Sequence, residues 1–191
     1  MQTEINDRLY TYKDYLEIDD DKQYELIGGK LILVPAPRTI HQRIKGRIFR
    51  VVADFVDKNS LGEVLDAPTD VVLTEKDKPQ PDILFVLKER LNIITEANVQ
   101  GAPDLVIEIL SPSTGKWDRV EKSRLYYKHG VKEYWIVDPD SKVIEAFIPG
   151  EKNWNLFQAY NEEETLTSPL LSGLEIKLKD IFNSPAGKSP S

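Results

Sequence analysis

Two carboxylates in this chain fall where chemistry could be done. In DLVIEILSPST, side chains of an extended segment alternate, so Asp104, Val106, Glu108 and Leu110 share one face. Leu105, Ile107 and Ile109 share the other. Both faces are apolar around Glu108, the pattern of a strand covered on two sides. An ionised carboxylate there is costly unless a cation or hydrogen-bond donors compensate it. The plainer alternatives are a glutamate on a solvated edge or one paired with a cross-strand lysine. Asp82 opens PDILFV behind Gln80 and Pro81. Proline is tolerated at a strand start but not in its middle, so Asp82 belongs where the strand leaves its loop. Read alone, Pro-Asp is equally a turn. Two carboxylates at the ends of neighbouring strands make a hard-oxygen site. Such a site suits Mg²⁺, which takes one or two carboxylates and keeps waters for phosphate oxygens.

The elements that must position these residues follow from periodicity. Residues 7–18 predict a short helix, with Leu9, Tyr12, Tyr15 and Leu16 at helical spacing. YELIGG leads into KLILVPAP, a short apolar strand ended by prolines. From Thr39, Ile44, Ile48, Val51, Val52 and Phe55 mark an amphipathic helix whose other face carries Arg43, Arg47 and Arg50. With Lys45 that row is either a phosphate-tracking stripe or the wet face of the helix. EVLDA, DVVLT, DILFV and DLVIEIL predict strands, and a helix from about Trp117 to His129 is closed by Gly130. EYWIVDP, KVIEAFI and NLFQAY are consecutive strands, with a turn at Asp138-Pro139-Asp140-Ser141. The order indicates a mixed β-sheet with helices packed on it, an α/β (α+β) architecture. Tyr126, Tyr127, Tyr134 and Trp135 lie in regular elements and are expected as core aromatics. Ser111 has no nucleophile elbow around it, so Ser111 and Thr114 are expected as turn and helix-start hydroxyls.

Composition removes several function classes. The 191 residues fit one domain, residues 1–182, with a Pro/Ser/Gly-rich tail at 183–191 expected to be disordered. With no cysteine, thiol nucleophiles, zinc–thiolate sites and disulfides are excluded. The N-terminus MQTEINDRLYTYKDY is too polar for a signal peptide, and no apolar run approaches the ~18 residues of a membrane span. A soluble, cytoplasmic protein without membrane contact is expected. Net charge is −7, from 25 basic and 32 acidic residues. A standing nucleic-acid binder usually carries a basic surplus, so any DNA contact must be local, metal-bridged or weak.

PDILFV, then DLVIEILSPST, then a helix carrying Glu121-Lys122, then GVKEYWIVDP resembles the Uma-type family of restriction endonuclease-like proteins, within the PD-(D/E)XK nuclease superfamily. The likeness runs from Tyr24 to Asp138 or beyond. It implies a restriction endonuclease-like core and an endonuclease that hydrolyses DNA phosphodiester bonds with Mg²⁺ or Mn²⁺ and no organic cofactor. It also implies roles for residues. Asp82 and Glu108 become metal ligands, joined by the main-chain carbonyl of Ile109. Leu110 stands where the superfamily has lysine, and Lys122 of the following helix supplies the ammonium instead. Glu25, at a position before the first strand, completes the metal site or is simply a helix-end carboxylate. His41 contacts phosphate, carries a proton, or caps the helix at the surface. A homodimer is expected, because a cut on both strands matches the two-fold symmetry of a duplex. Two other functions fit the same residues: a degenerate nuclease fold kept as a binding module, and a glycosidase using Asp82 and Glu108 as an acid/base pair.

Overall fold

The segments richest in branched and aromatic residues form the middle of a six-stranded sheet in the computed structural model, which describes residues 8–111 and 118–183. The first half comprises α1 (Tyr12–Leu16), β1 (Tyr24–Ile27), β2 (Lys30–Leu33), α2 (Thr39–Asn59), β3 (Gly62–Asp66) and β4 (Val71–Val72). After it come β5 (Ile83–Leu87), a 3-10 segment (Lys88–Ile93), β6 (Val99–Gln100) and β7 (Leu105–Ile109). A wide π-helical turn (Asp118–Lys122) then runs into α3 (Ser123–Lys128). Last are β8 (Glu133–Asp138), β9 (Val143–Pro149), β10 (Trp154–Asn161), β11 (Thr165–Thr167), β12 (Glu175–Lys177) and α4 (Leu178–Phe182). The large sheet runs β10-β9-β8-β7-β5-β3, parallel only between β7 and β8. Parallel neighbours need a crossover, and the helical segment ending in α3 provides it. The result is the mixed sheet flanked by helices that the sequence predicts.

Burial accounts for this order. β5, β7 and β8 are covered on both faces along nearly their whole length, as unbroken apolar runs require. On one face Ile44, Ile48, Val52 and Val56 of α2 pack on Phe85, Ile107 and Trp135. Each such side chain contributes roughly 1.5–3 kcal/mol by leaving water. On the other face Tyr126 of α3 packs with Val106, Tyr134 and Ile136. Leu110, at the expected lysine position, joins that second cluster.

Several expectations need correcting. The helix foreseen over 7–18 is only α1, held by a capping box between Thr11 and Asp14. YELI is a strand in its own right, paired antiparallel with KLIL across Gly28 and Gly29. Both glycines have positive φ, 58° and 78°, which a two-residue hairpin of this kind demands. DVVLT keeps only two strand residues, and β11, β12 and α4 were not foreseen. The expected tail falls, beyond Asn183, outside the described residues, as do Thr114 and Trp117. Among the described residues no helix is long and apolar enough to cross a membrane.

Candidate active site

β5 and β7 run antiparallel with Ile83 opposite Ile107, and extending that register by one residue sets Asp82 opposite Glu108. Asp82 lies just outside β5, and its Oδ2 accepts the Ile109 N–H at 2.8 Å. The aspartate thus holds the end of the neighbouring strand while its carboxylate stays at the sheet's edge. The two carboxylates singled out in the sequence line one cavity of about 360 Å³, together with Ile109.

Glu108 is 2% exposed, which rules out the solvated edge. Its Oε1 accepts from the Lys122 ammonium at 3.1 Å and the Tyr126 hydroxyl at 2.6 Å. Lys122, 4% exposed, also reaches Glu25 Oε1 at 2.8 Å. One ammonium therefore bridges two buried carboxylates. Lys122 ends the π turn, and Tyr126 lies four residues on, one α-helical turn further along the same face. A lysine buried in this way is no solvated helix charge. Tyr126 was expected only as a core aromatic, and its hydroxyl is a site feature that sequence reasoning missed. Burial, with the Glu108 charge adding to it, pushes that phenol well above its ordinary pKa, so it remains a donor.

Glu25 sits inside β1, not at a helix end or ahead of the strand. Besides Lys122 it accepts the Gln80 N–H at 2.7 Å. A second polar chain supports its hairpin. The Gln80 side chain donates to Asp70 at 2.7 Å, and Asp70 accepts from the fully buried Lys78 at 3.0 Å. Lys78 also bonds the Tyr24 carbonyl and lies 3.7 Å from the centre of the Tyr15 ring. Burial pulls the Lys78 ammonium below its usual pKa, opposed by Asp70. Burial raises the Tyr15 phenol to about 12.

His41 is buried, against the surface or cap role weighed for it. Its Nε2 is 3.1 Å from Asp82 Oδ2, and its Nδ1 has no partner among the described residues. A carboxylate acceptor assigns the hydrogen to Nε2. The basic row on α2 divides. Arg47 donates to the carbonyls of Ile181 and Asn183 at 2.6 and 3.0 Å, tying α2 to the end of the chain. Lys45 is buried against Asp66 and the Ala67 carbonyl, each at 3.0 Å. Arg43 and Arg50 are exposed. A continuous phosphate-tracking stripe is therefore absent among these four residues.

Carboxylate and carbonyl oxygens are the donors that Mg²⁺ or Mn²⁺ prefers. Among the described residues no three histidine or acidic side chains converge as a metal cage. Asp82 and Glu108 are the carboxylates on the lining that could hold such an ion, with water completing its shell.

A restriction endonuclease-like core with acids at the ends of adjacent strands defines the class to which this chain is similar. The chain matches the model of the Uma2 family, described as "Putative restriction endonuclease", over residues 11–179, and it belongs to that nuclease family. Among solved structures it resembles the "putative nuclease" of Anabaena variabilis ATCC 29413, with TM-score 0.76 and 22% identity. That match covers 90% of this chain and 97% of the other, and it establishes the shared fold. A search of curated proteins finds no match.

Proposed function

We propose that this protein is a divalent-metal-dependent nuclease that hydrolyses DNA phosphodiester bonds at the cavity holding Asp82, Glu108 and Lys122. The observation that carries the reading is the Lys122 ammonium bridging Glu25 and Glu108 on the wall that Asp82 shares. Asp82 and Glu108 hold Mg²⁺ or Mn²⁺, with the Ile109 carbonyl as a further oxygen donor. Bound there, such an ion would supply positive charge against the phosphate oxygens and lower the pKa of the attacking water. Lys122 orients the attacking water and offsets the negative charge that builds on the phosphoryl oxygens in the transition state. Glu25 keeps the ammonium in place. His41, through Nε2–H, fixes the Asp82 carboxylate rather than carrying a proton. Family membership supports the activity, and a two-fold dimer is the assembly that a cut on both strands needs.

The expected outcome is cleavage of DNA in Mg²⁺ or Mn²⁺ and none in chelator. Lys122→Met should lower the rate by about 100-fold, the usual order for a positioned proton-handling group. Asp82→Asn and Glu108→Gln should abolish both cleavage and calorimetric metal binding. DNA binding without cleavage under any metal would favour the degenerate binding module, the reading that Leu110 and the acidic balance support.

A further inference from the structure

The inner end of the cavity restricts what can reach it. The side chains of Glu25, Glu108 and Lys122 are only 2–5% exposed. The exposed residues on the lining are Gln23, 35–38, Gln42 and Pro68, all nearer the mouth. At about 360 Å³ the space lies near the low end of small-ligand pockets, roughly 300–1,000 Å³. It has room for a single nucleotide. A duplex is a stiff rod, straight over about 150 base pairs, whereas a single strand bends freely enough to turn one phosphate into a narrow recess.

Charge around the mouth agrees. Lys122 is held by carboxylates and Lys45 by Asp66 and the Ala67 carbonyl, leaving Arg38 as an exposed cation on the lining. Arg43, Arg47 and Arg50 lie roughly 180–240° around α2 from His41, at 100° per residue. Arg47 is in any case bound to the chain's own carbonyls. Duplex binders often neutralise about 6–10 phosphates. The described residues lining this cavity offer no such track.

We infer that the substrate is a flexible DNA strand, single-stranded or a frayed end, which feeds one nucleotide at a time into the cavity, and not an intact duplex. This rests on the nuclease reading above. Each turnover adds water across one P–O bond, leaving a phosphate monoester on one fragment and a hydroxyl on the other. The two-fold pairing that a double-strand cut requires is then dispensable.

The test compares one labelled oligonucleotide as a single strand, as a blunt duplex and as a duplex with an unpaired overhang, in Mn²⁺ and in Mg²⁺. Bis(p-nitrophenyl) phosphate serves as a small diester, and Asp82→Asn as the control for contaminating nuclease. The single strand and the overhang should be cut at least about 10-fold faster than the blunt duplex, which must first unpair and unstack. The small diester should also be hydrolysed, and Asp82→Asn should lose all of these activities. Binding followed by fluorescence anisotropy should weaken only gently with salt. The expected log–log slope is about −1, since each phosphate on a single strand contributes about 0.7. A blunt duplex cut as fast as the single strand, or a salt slope steeper than about −5, overturns the inference and leaves the nuclease reading standing. Hydrolysis of the small diester alone overturns the assignment to a DNA strand. No hydrolysis of any substrate overturns the nuclease reading itself, and this inference with it.

Discussion

Tyr126 donates a single hydrogen bond, to the same Glu108 oxygen that Lys122 contacts. Tyr126→Phe keeps the ring packed against Val106 and Tyr134 and deletes only that donor. The expected loss of stability is about 1 kcal/mol, the usual net worth of one hydrogen bond. Metal affinity should fall further than that suggests, by about 10- to 100-fold, because groups behind a ligand set its orientation and basicity. Calorimetric titration with Mn²⁺ beside a thermal melt separates the two effects. An unchanged affinity would return Tyr126 to the role of core aromatic. The site was legible in part at this scale. Strand alternation places Glu108, and the proline before Asp82 places the aspartate. Nothing along the sequence says that a phenol in an aromatic-rich helix turns its hydroxyl toward an acid. The one available signal was the four-residue spacing from Lys122.

At the scale of elements, the β1–β2 hairpin delivers Glu25, and Lys78 holds the hairpin in place. Its ammonium meets the Tyr24 carbonyl and Asp70, and its backbone exchanges hydrogen bonds with Leu26. Lys78→Met should destabilise the fold by about 3 kcal/mol, since Asp70 loses the cation it faces in a largely buried pair. Cleavage should fall as well, because Glu25 moves with the hairpin. Urea melts and initial rates measured on the same preparation would expose a mistake here. Loss of activity with full stability would mean that Lys78 acts elsewhere than on the hairpin. The long, strongly periodic elements were readable: α2 begins at the expected residue, and β5, β7 and β8 lie within the expected runs. Several of the shortest elements were not, or only in part. β4, β11, β12 and α4 are too short to show a period and are fixed by what they pack against. Arg47 makes the same point, since its partners lie 134 and 136 residues away.

For the whole molecule, Glu133 links the central sheet to the loop that joins β11 and β12 ahead of α4. The carboxylate is fully buried and accepts from Trp135 Nε1 at 2.6 Å, Ser168 Oγ at 2.8 Å and the Leu170 N–H at 3.0 Å. Burial raises its pKa above the ordinary 4.5, against the lowering effect of those donors. The folded state then binds the proton more tightly than the unfolded chain. Its contribution to stability is therefore complete below about 4.5 and is lost as pH rises through the raised folded value. Removing this titration in Glu133→Gln should make stability rise less on acidification from neutral pH toward 4.5 than it does in the wild type. Urea melts across that range provide the comparison, and parallel curves would show that Glu133 is not the group responsible.

The lysine's arrival on a helix, 14 positions after its acid, has an evolutionary consequence. In a motif where acid and lysine sit two apart on one strand, every change between them disturbs both. Here the acid and the ammonium come from two separate elements, β7 and the π turn, so a change in the backbone of one need not disturb the other.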